Sequence, residues 1–353
     1  MARLREFEFK VEQELIRAGV LDAPKSSSAA IESLSDSLSG PLWISASGGL
    51  DSFALLHCMK AISARHRLDL GLLHVHHGRA NTDEGTRFRD EAARLVERWA
   101  QVYSLPFRLF SPSSASAEHH PKSQSEADLR DFRRWAYQQI RDEFPTRALA
   151  LGHHRDDLFE TRLIRLLRGT GPMGLIGMEL WDPETRVLRP FLSFNRKAIA
   201  AYGQDLVADS NDSLTWLEDP SNRDPSYLRN RVRARLVPLF EELRAGGGES
   251  FCRSIELIAN ELNENEGQFN NVTESNVGSE DLTSGLNRKR LMSLTPPQRA
   301  KCLAGYLRKS NVANFTKNQI LEVVKRIDSP RKSLRFEVAG RRWIVDSRVR
   351  ILD

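Results

Sequence analysis

The chain has 353 residues, 40% hydrophobic and 28% charged, values that exclude a disordered or fibrous polypeptide and leave room for two or three domains. Lys plus Arg number 52 against 47 Asp plus Glu, a net +5 that admits a polyanionic partner without requiring one. Three scattered cysteines, Cys58, Cys252 and Cys302, form no CxxC pair, which excludes a disulfide framework and a thiolate metal site and fits a reducing, cytoplasmic compartment.

Residues 1–40 read as an amphipathic helix, with Phe7, Val11, Leu15, Ile16 and Val20 near helical spacing, followed by the Ser-rich "KSSSAAIESLSDSLSG". The mixed charges of the helix argue against a signal peptide, and its place is expected to be peripheral. Short β-type runs then alternate with helical ones: "LWISA", "LGLLHV", "FRLF" and "ALALG", each followed by a helical pattern. That alternation predicts an α/β fold, a doubly wound parallel sheet with crossover helices, over residues 41–218. A polar loop, "SPSSASAEHHPKSQS", interrupts it at 111–125. Beyond a boundary placed near residue 218, 219–262 reads as a basic helical linker stopped by three glycines. Residues 263–353 read as a small C-terminal domain that opens on a polar tract to about Asn287 and ends in a hairpin around Ala339-Gly340. No run of roughly 18 apolar residues predicts a membrane span.

The stretch "SASGGLDSFALLH" places two glycines between a predicted strand and an apolar helical run. Unpaired N–H groups and the positive end of the helix dipole attract anions there, and Gly48 and Gly49 admit oxygens to the main chain. Ser47, Leu50 and Ser52 complete the candidate phosphate loop. No lysine follows the glycines, so this is not the GxxxxGK[ST] loop. Asp51 beside phosphate is repulsive unless a cation such as Mg²⁺ intervenes, which makes it a candidate metal ligand. The competing reading is a tight turn with Asp51 as an early-helix carboxylate.

A second constellation, "LGHHRDDLFETRLIRLLRGTGPMGLIGM", starts at the end of another predicted strand. Asp157 and Glu160 at i and i+3 share a helix face, with His153 about one turn earlier. A histidine and carboxylates gathered at a strand end form a cation and proton-transfer site, although any one of them alone reads as a capping or solvated residue.

SGGLDS matches the SGGxDS signature of the PP-loop ATP pyrophosphatase superfamily. GHHRDDLFET with RGTGPMGLIGM resembles the signature of the tRNA(Ile)-lysidine synthetase family. "HVHHG" (His74 to Gly78) is similar to that family's HVNHGLR, with Arg79-Ala80 standing at its Leu-Arg. "EADLRDFRR" is similar to its ExxxRxxRY, and "RPFL" and "EDPSNRDPSYLRNRVRARLVP" to two later segments. The resemblance runs over roughly residues 42–240.

What it implies is an enzyme that adenylates the C2 carbonyl oxygen of the wobble cytidine of isoleucine tRNA with a CAU anticodon. Free L-lysine then displaces AMP to form lysidine, and the tRNA comes to read AUA. ATP is the substrate and Mg²⁺ the expected ion. The resemblance implies Asp51, Asp157, Glu160 and His153 as catalytic residues, with Asp51 and Asp157 on the metal. It implies Ser47 to Ser52 and His74 on ATP. Arg130, Arg133, Arg168, Asn222, Arg229, Asn230 and Arg233 are implied on lysine or tRNA. Arg229 with Arg233 and Arg231 with Arg235 fall in two basic helical rows, and nine basic residues meet three acids from Lys325 to Arg350. A homodimer is compatible with this reading. The alternatives are a tRNA thiolase, a small-molecule amidating synthetase, and a catalytically silent tRNA-binding protein.

Overall fold

The computed structural model describes residues 2–21, 40–116, 119–121, 123–144, 148–209, 214–258, 285–309, 316–338 and 340–352. The Ser-rich segment and most of the 263–287 tract therefore lie outside the described residues. The chain forms two compact units, Met1–Glu256 and Leu257–Asp353.

In the first unit a six-stranded sheet runs in the order β3-β2-β1-β4-β6-β5. Its strands are β1 (Leu42–Ser45), β2 (Leu70–Val75), β3 (Phe107–Phe110), β4 (Ala148–Leu151), β5 (Trp181–Asp182) and β6 (Val187–Leu188). All pairings are parallel except β5 with β6. The first four strands coincide with the four predicted β runs. They read as nearly continuous apolar stretches because helices cover both faces. Leu42, Ile44, Leu72 and Ala150 pack into one core, and Trp43, Leu73 and Leu149 pack into another on the opposite face.

The chain reverses its winding at β1, whose neighbours are β2 on one side and β4 on the other. Ser45 pairs with Leu73 and with Leu151, so these three strands end level with one another. Ligand sites in open α/β sheets form at such a switch point, beyond the carboxyl ends of the strands. The two glycine-containing motifs leave β1 and β4 at that place.

The N-terminal helix α1 (Ala2–Arg17) is not peripheral. Val11 and Leu15 are fully buried in the larger core. Phe7 stacks on Tyr202 at 4.6 Å, and the Tyr202 hydroxyl donates to buried Glu8 at 3.0 Å. Periodicity identified the buried stripe of this helix but not the surface that it meets.

The expected boundary near 218 also moves, to 256/257. A helical stretch of three consecutive segments, Leu228–Arg231, a π-helical turn Val232–Leu236 and Val237–Leu243, packs on the helix after β4. Phe159, Phe240 and Phe251 meet edge-on at 5.3–5.6 Å, binding residues 219–256 to the first unit.

The second unit holds an antiparallel sheet in the order β7-β10-β9-β8, from β7 (Leu286–Asn287), β8 (Leu334–Val338), β9 (Arg341–Val345) and β10 (Arg348–Leu352). The expected hairpin is β8–β9, with Gly340 at φ +65°, and a further strand extends it. Trp343, Leu303, Val323 and Ile327 form its core. Several of its basic residues are locally paired: Lys325 and Arg326 with Glu322, and Arg350 with Asp346. Among the described residues no helix is long and apolar enough to cross a membrane.

Because Leu15 is fully buried, Leu15→Ala is expected to destabilise the first unit by about 2–5 kcal/mol in denaturant titration. A peripheral helix would leave the midpoint unmoved.

Candidate active site

The helix after β1, α2 (Leu50–His66), begins at Gly49 with no side-chain cap. Phe53 N–H closes the first turn on the Gly49 carbonyl at 3.0 Å, so the N–H groups of Leu50, Asp51 and Ser52 have no intrahelical acceptor. The loop is held from behind. Ser52 is buried; its hydroxyl donates to the Gly49 carbonyl at 2.9 Å and accepts from Ser47 N–H at 3.2 Å. That hydroxyl, expected on phosphate, fixes the shape of the loop. Gly48 has φ +85°, and a Cβ there would sit 3.1 Å from that of Ala92 on the helix α3 (Asp83–Tyr103). Leu217 N–H reaches the Gly48 carbonyl at 2.9 Å.

Gly152, in the loop leaving β4, lets that loop close on the phosphate loop, since a Cβ on it would lie 3.2 Å from the Asp51 carbonyl oxygen. Next comes the helix α5 (Arg155–Leu167), preceded in the chain by α4 (Glu126–Glu143). His154 caps α5. Its Nδ1 accepts from Asp157 N–H at 3.3 Å while Asp157 Oδ2 accepts from His154 N–H at 3.1 Å. The other ring nitrogen, Nε2, lies 3.4 Å from Asp157 Oδ2 and 3.9 Å from Asp51 Oδ2. His154, not His153, bridges the two motifs; only the first of the two adjacent histidines was singled out from the sequence.

Glu160 is 2% exposed. Arg233 donates to it through Nε at 2.6 Å and Nη2 at 3.0 Å, and Arg229 through Nε at 2.9 Å. Their Nη2 atoms also face Asp157 Oδ1 at 3.5 Å (Arg229) and 3.7 Å (Arg233). The basic row expected to face tRNA is thus turned inward onto two carboxylates, because burying Glu160 requires paired donors. Glu160 in turn is occupied as an ion-pair partner. Asp157 has both oxygens engaged.

Asp51 differs. Its Oδ1 is buried with no hydrogen-bond partner among the described residues. Burial raises its pKa above 3.8 against the opposing fields of His154, Arg196 and Arg233, and Asp157 adds to the rise. Asp157 lies below 3.8 despite its burial, held there by His154 and Arg229.

His74, within β2, is an inward residue. His74 is 4% exposed with Nδ1 2.8 Å from the Ala46 carbonyl, and burial lowers its pKa to about 4. It braces the chain just past the end of β1. Burial likewise lowers His153 to about 4, and its Nδ1 has no partner among the described residues. Arg133 bears on both His77 and His153 and forms no ion pair or hydrogen bond among the described residues. Arg130 is paired with Glu126 at 3.2 Å.

Two expected residues also have structural places of their own. Asn230 Nδ2 donates to the Ser221 and Asp224 carbonyls at 2.8 Å, stapling the loop that carries exposed Asn222. Arg168 caps the far end of α5, roughly 20 Å along the axis from His154.

Replacing Glu160 by Ala is expected to cost about 2–3 kcal/mol, less than for a fully buried pair because Arg229 and Arg233 are 25% and 31% exposed. Asp51→Asn is expected to raise the melting temperature. The sign follows from linkage: a raised pKa means that the ionised carboxylate weakens the fold at neutral pH, a loss relieved as pH falls through the raised value towards 3.8. Asp157 acts oppositely, its stabilisation being lost as pH falls below 3.8. Melting curves of Asp51→Asn and of the unaltered chain at neutral pH and near pH 4 check the first sign, and those of Asp157→Asn and the unaltered chain at neutral pH and below pH 3.8 check the second.

A family model described as a PP-loop domain matches residues 25–240. A tRNA(Ile)-lysidine synthase from Bdellovibrio bacteriovorus is 31% identical over 306 residues, 86% of this chain and 89% of that protein. One from Geobacter sulfurreducens is 35% identical over 220 residues, 62% of this chain and 44% of that protein, so the match spans under half of this longer relative. The U34-tRNA thiolase NcsA from Methanococcus maripaludis superposes with a TM-score of 0.52 at 15% identity, over 73% of this chain and 79% of that one, which shows a shared fold alone. Carrying an uncapped glycine loop after β1 and its His-Asp partner after β4, and related along 86% of its length to a named member, the chain belongs to the tRNA(Ile)-lysidine synthase family of PP-loop proteins.

Proposed function

We propose that this chain is an ATP-dependent ligase acting on isoleucine tRNA with a CAU anticodon. The C2 carbonyl oxygen of the wobble cytidine attacks the α-phosphorus of ATP and pyrophosphate leaves. The amine of free L-lysine then attacks C2, AMP departs, and lysidine results after loss of the amine protons. Family membership and the free N–H groups at the phosphate loop support the first step.

The observation that carries the reading is the charge count at the switch point. Three carboxylates, Asp51, Asp157 and Glu160, meet two guanidiniums, Arg229 and Arg233, that pair with Asp157 and Glu160; His154 and Arg196 only partly offset the burial of Asp51, whose Oδ1 has no hydrogen-bond partner among the described residues. A binder of polyanions gains nothing from such a group. A Mg²⁺ ion fits it, since that ion uses one or two carboxylates together with substrate phosphates. Asp51 would hold the ion, and Asp157, already engaged, would not. Such an ion would neutralise charge developing on pyrophosphate.

Glu160 then positions Arg229 and Arg233, and His154 holds the loops from β1 and β4 in register. His153, neutral at pH 7, offers an unpartnered ring nitrogen to the substrate. Arg133, with no ion pair among the described residues, is a guanidinium open to an anionic group, for which the lysine carboxylate is suited. Exposed Arg231 and Arg235 supply basic surface for the tRNA. Sulfur transfer is disfavoured because Cys58, Cys252 and Cys302 are all buried and far apart in sequence. We place the reaction in the cytoplasm, consistent with these free thiols.

Labelled lysine is expected to enter unmodified CAU-anticodon isoleucine tRNA only when ATP and Mg²⁺ are both supplied. Asp51→Ala should abolish incorporation while leaving tRNA binding within about twofold. AMP release without incorporation would point to another nucleophile, and no AMP would favour a silent binder.

A further inference from the structure

Arg89 belongs to none of the motifs that mark the site, yet its guanidinium meets the site's main chain. It lies on α3, about two turns beyond the capping residue Thr82. A single nitrogen, Nη1, faces three successive carbonyl oxygens in the loop leaving β2: His77 at 3.4 Å, Gly78 at 3.0 Å and Arg79 at 3.1 Å. Three carbonyl dipoles converging on one point repel one another unless a cation sits there. Gly78, in the middle, has φ +74°, the left-handed conformation that turns its carbonyl into this cluster.

The same helix supports the phosphate loop. Ala92, three residues on, is the surface against which Gly48 closes, 3.1 Å from a Cβ that Gly48 lacks. The strap that gives Leu217 N–H to the Gly48 carbonyl continues to Asp219, whose carboxylate acts on the Arg89 guanidinium. Loop after β2, loop after β1 and strap thus meet one face of α3.

The family pattern quoted above has an arginine in the loop itself, two residues after the glycine; here Ala80 stands at that position. Ala80 is packed closely, since a Cβ on Gly85 would lie 2.9 Å from its own.

We infer that Arg89 is a positioning residue for ATP, a cationic brace from α3 that sets the loop after β2 at a fixed distance from the phosphate loop. The inference rests on the nucleotide reading of that loop. Arg89 touches neither substrate nor reacting atoms. Its removal loosens one wall of the nucleotide site, so ATP binding weakens while the chemical step, built on the loops from β1 and β4, is left nearly intact.

The test is equilibrium dialysis of labelled ATP with the full chain, beside steady-state lysine incorporation and thermal melting. Arg89→Met is expected to raise the Kd and KM for ATP about tenfold, with kcat within about threefold. Because one nitrogen makes all three contacts, Arg89→Lys, which returns a cation with three N–H donors, should restore ATP binding to within about threefold of the unaltered chain. A merely structural arginine would lower the melting temperature and the active fraction without moving KM. An unchanged Kd in Arg89→Met, or a lysine variant as weak as the methionine one, overturns the proposal while the nucleotide reading stands. An unaltered chain that binds no ATP overturns both.

Discussion

The site is organised around a helix that starts without a cap. Gly49 leaves the first N–H groups of α2 with no side-chain acceptor, so they are available to an anion whose oxygens can come close to a backbone bare of Cβ atoms. Leaving those donors open has a cost in stability, and the surrounding contacts offset it from the rear. Ser52 is turned inward, Leu217 N–H takes up the Gly48 carbonyl, Ala92 closes on Gly48, and Gly152 brings the β4 loop against Asp51. Each of these contacts shapes the loop without occupying its open side.

The second constraint is electrostatic. A buried Glu160 exists only because two guanidiniums come from a helical stretch about seventy residues later in the chain. That pairing ties the tail of the first unit to the sheet and consumes the arginines whose spacing suggested an RNA-facing row. It also engages Asp157, so among the three carboxylates Asp51 is the one with an oxygen lacking any hydrogen-bond partner among the described residues, beside the open N–H groups. Anion site and unpartnered carboxylate oxygen side by side form a place for a phosphate with a cation, and either feature by itself has an ordinary structural reading.

The sequence made the sheet legible because parallel strands buried on both faces read as short apolar runs, and "LWISA", "LGLLHV", "FRLF" and "ALALG" are all of that kind. Both glycine loops were legible for the same local reason. What was hidden is what depends on partners distant in the chain. Helical spacing put Asp157 and Glu160 on one face but carried no word of Arg229 or Arg233. It showed a buried stripe on α1 without showing Tyr202 and Phe191 beneath it. His154 was overlooked beside His153 because nothing in a pair of adjacent histidines says which one caps the helix. The π-helical turn at Val232–Leu236, which follows Arg229 and contains Arg233 and Arg235, has no signal in composition at all.

The central claim is that the open N–H groups of Leu50, Asp51 and Ser52 receive the pyrophosphate part of ATP. Hydrogen exchange read at those three amides, with Mg²⁺ and inorganic pyrophosphate added to the full chain, tests it most directly. Slowed exchange at all three, and its loss in Asp51→Ala, is the result this account expects. Exchange unchanged at these amides while pyrophosphate binds elsewhere on the chain would contradict it.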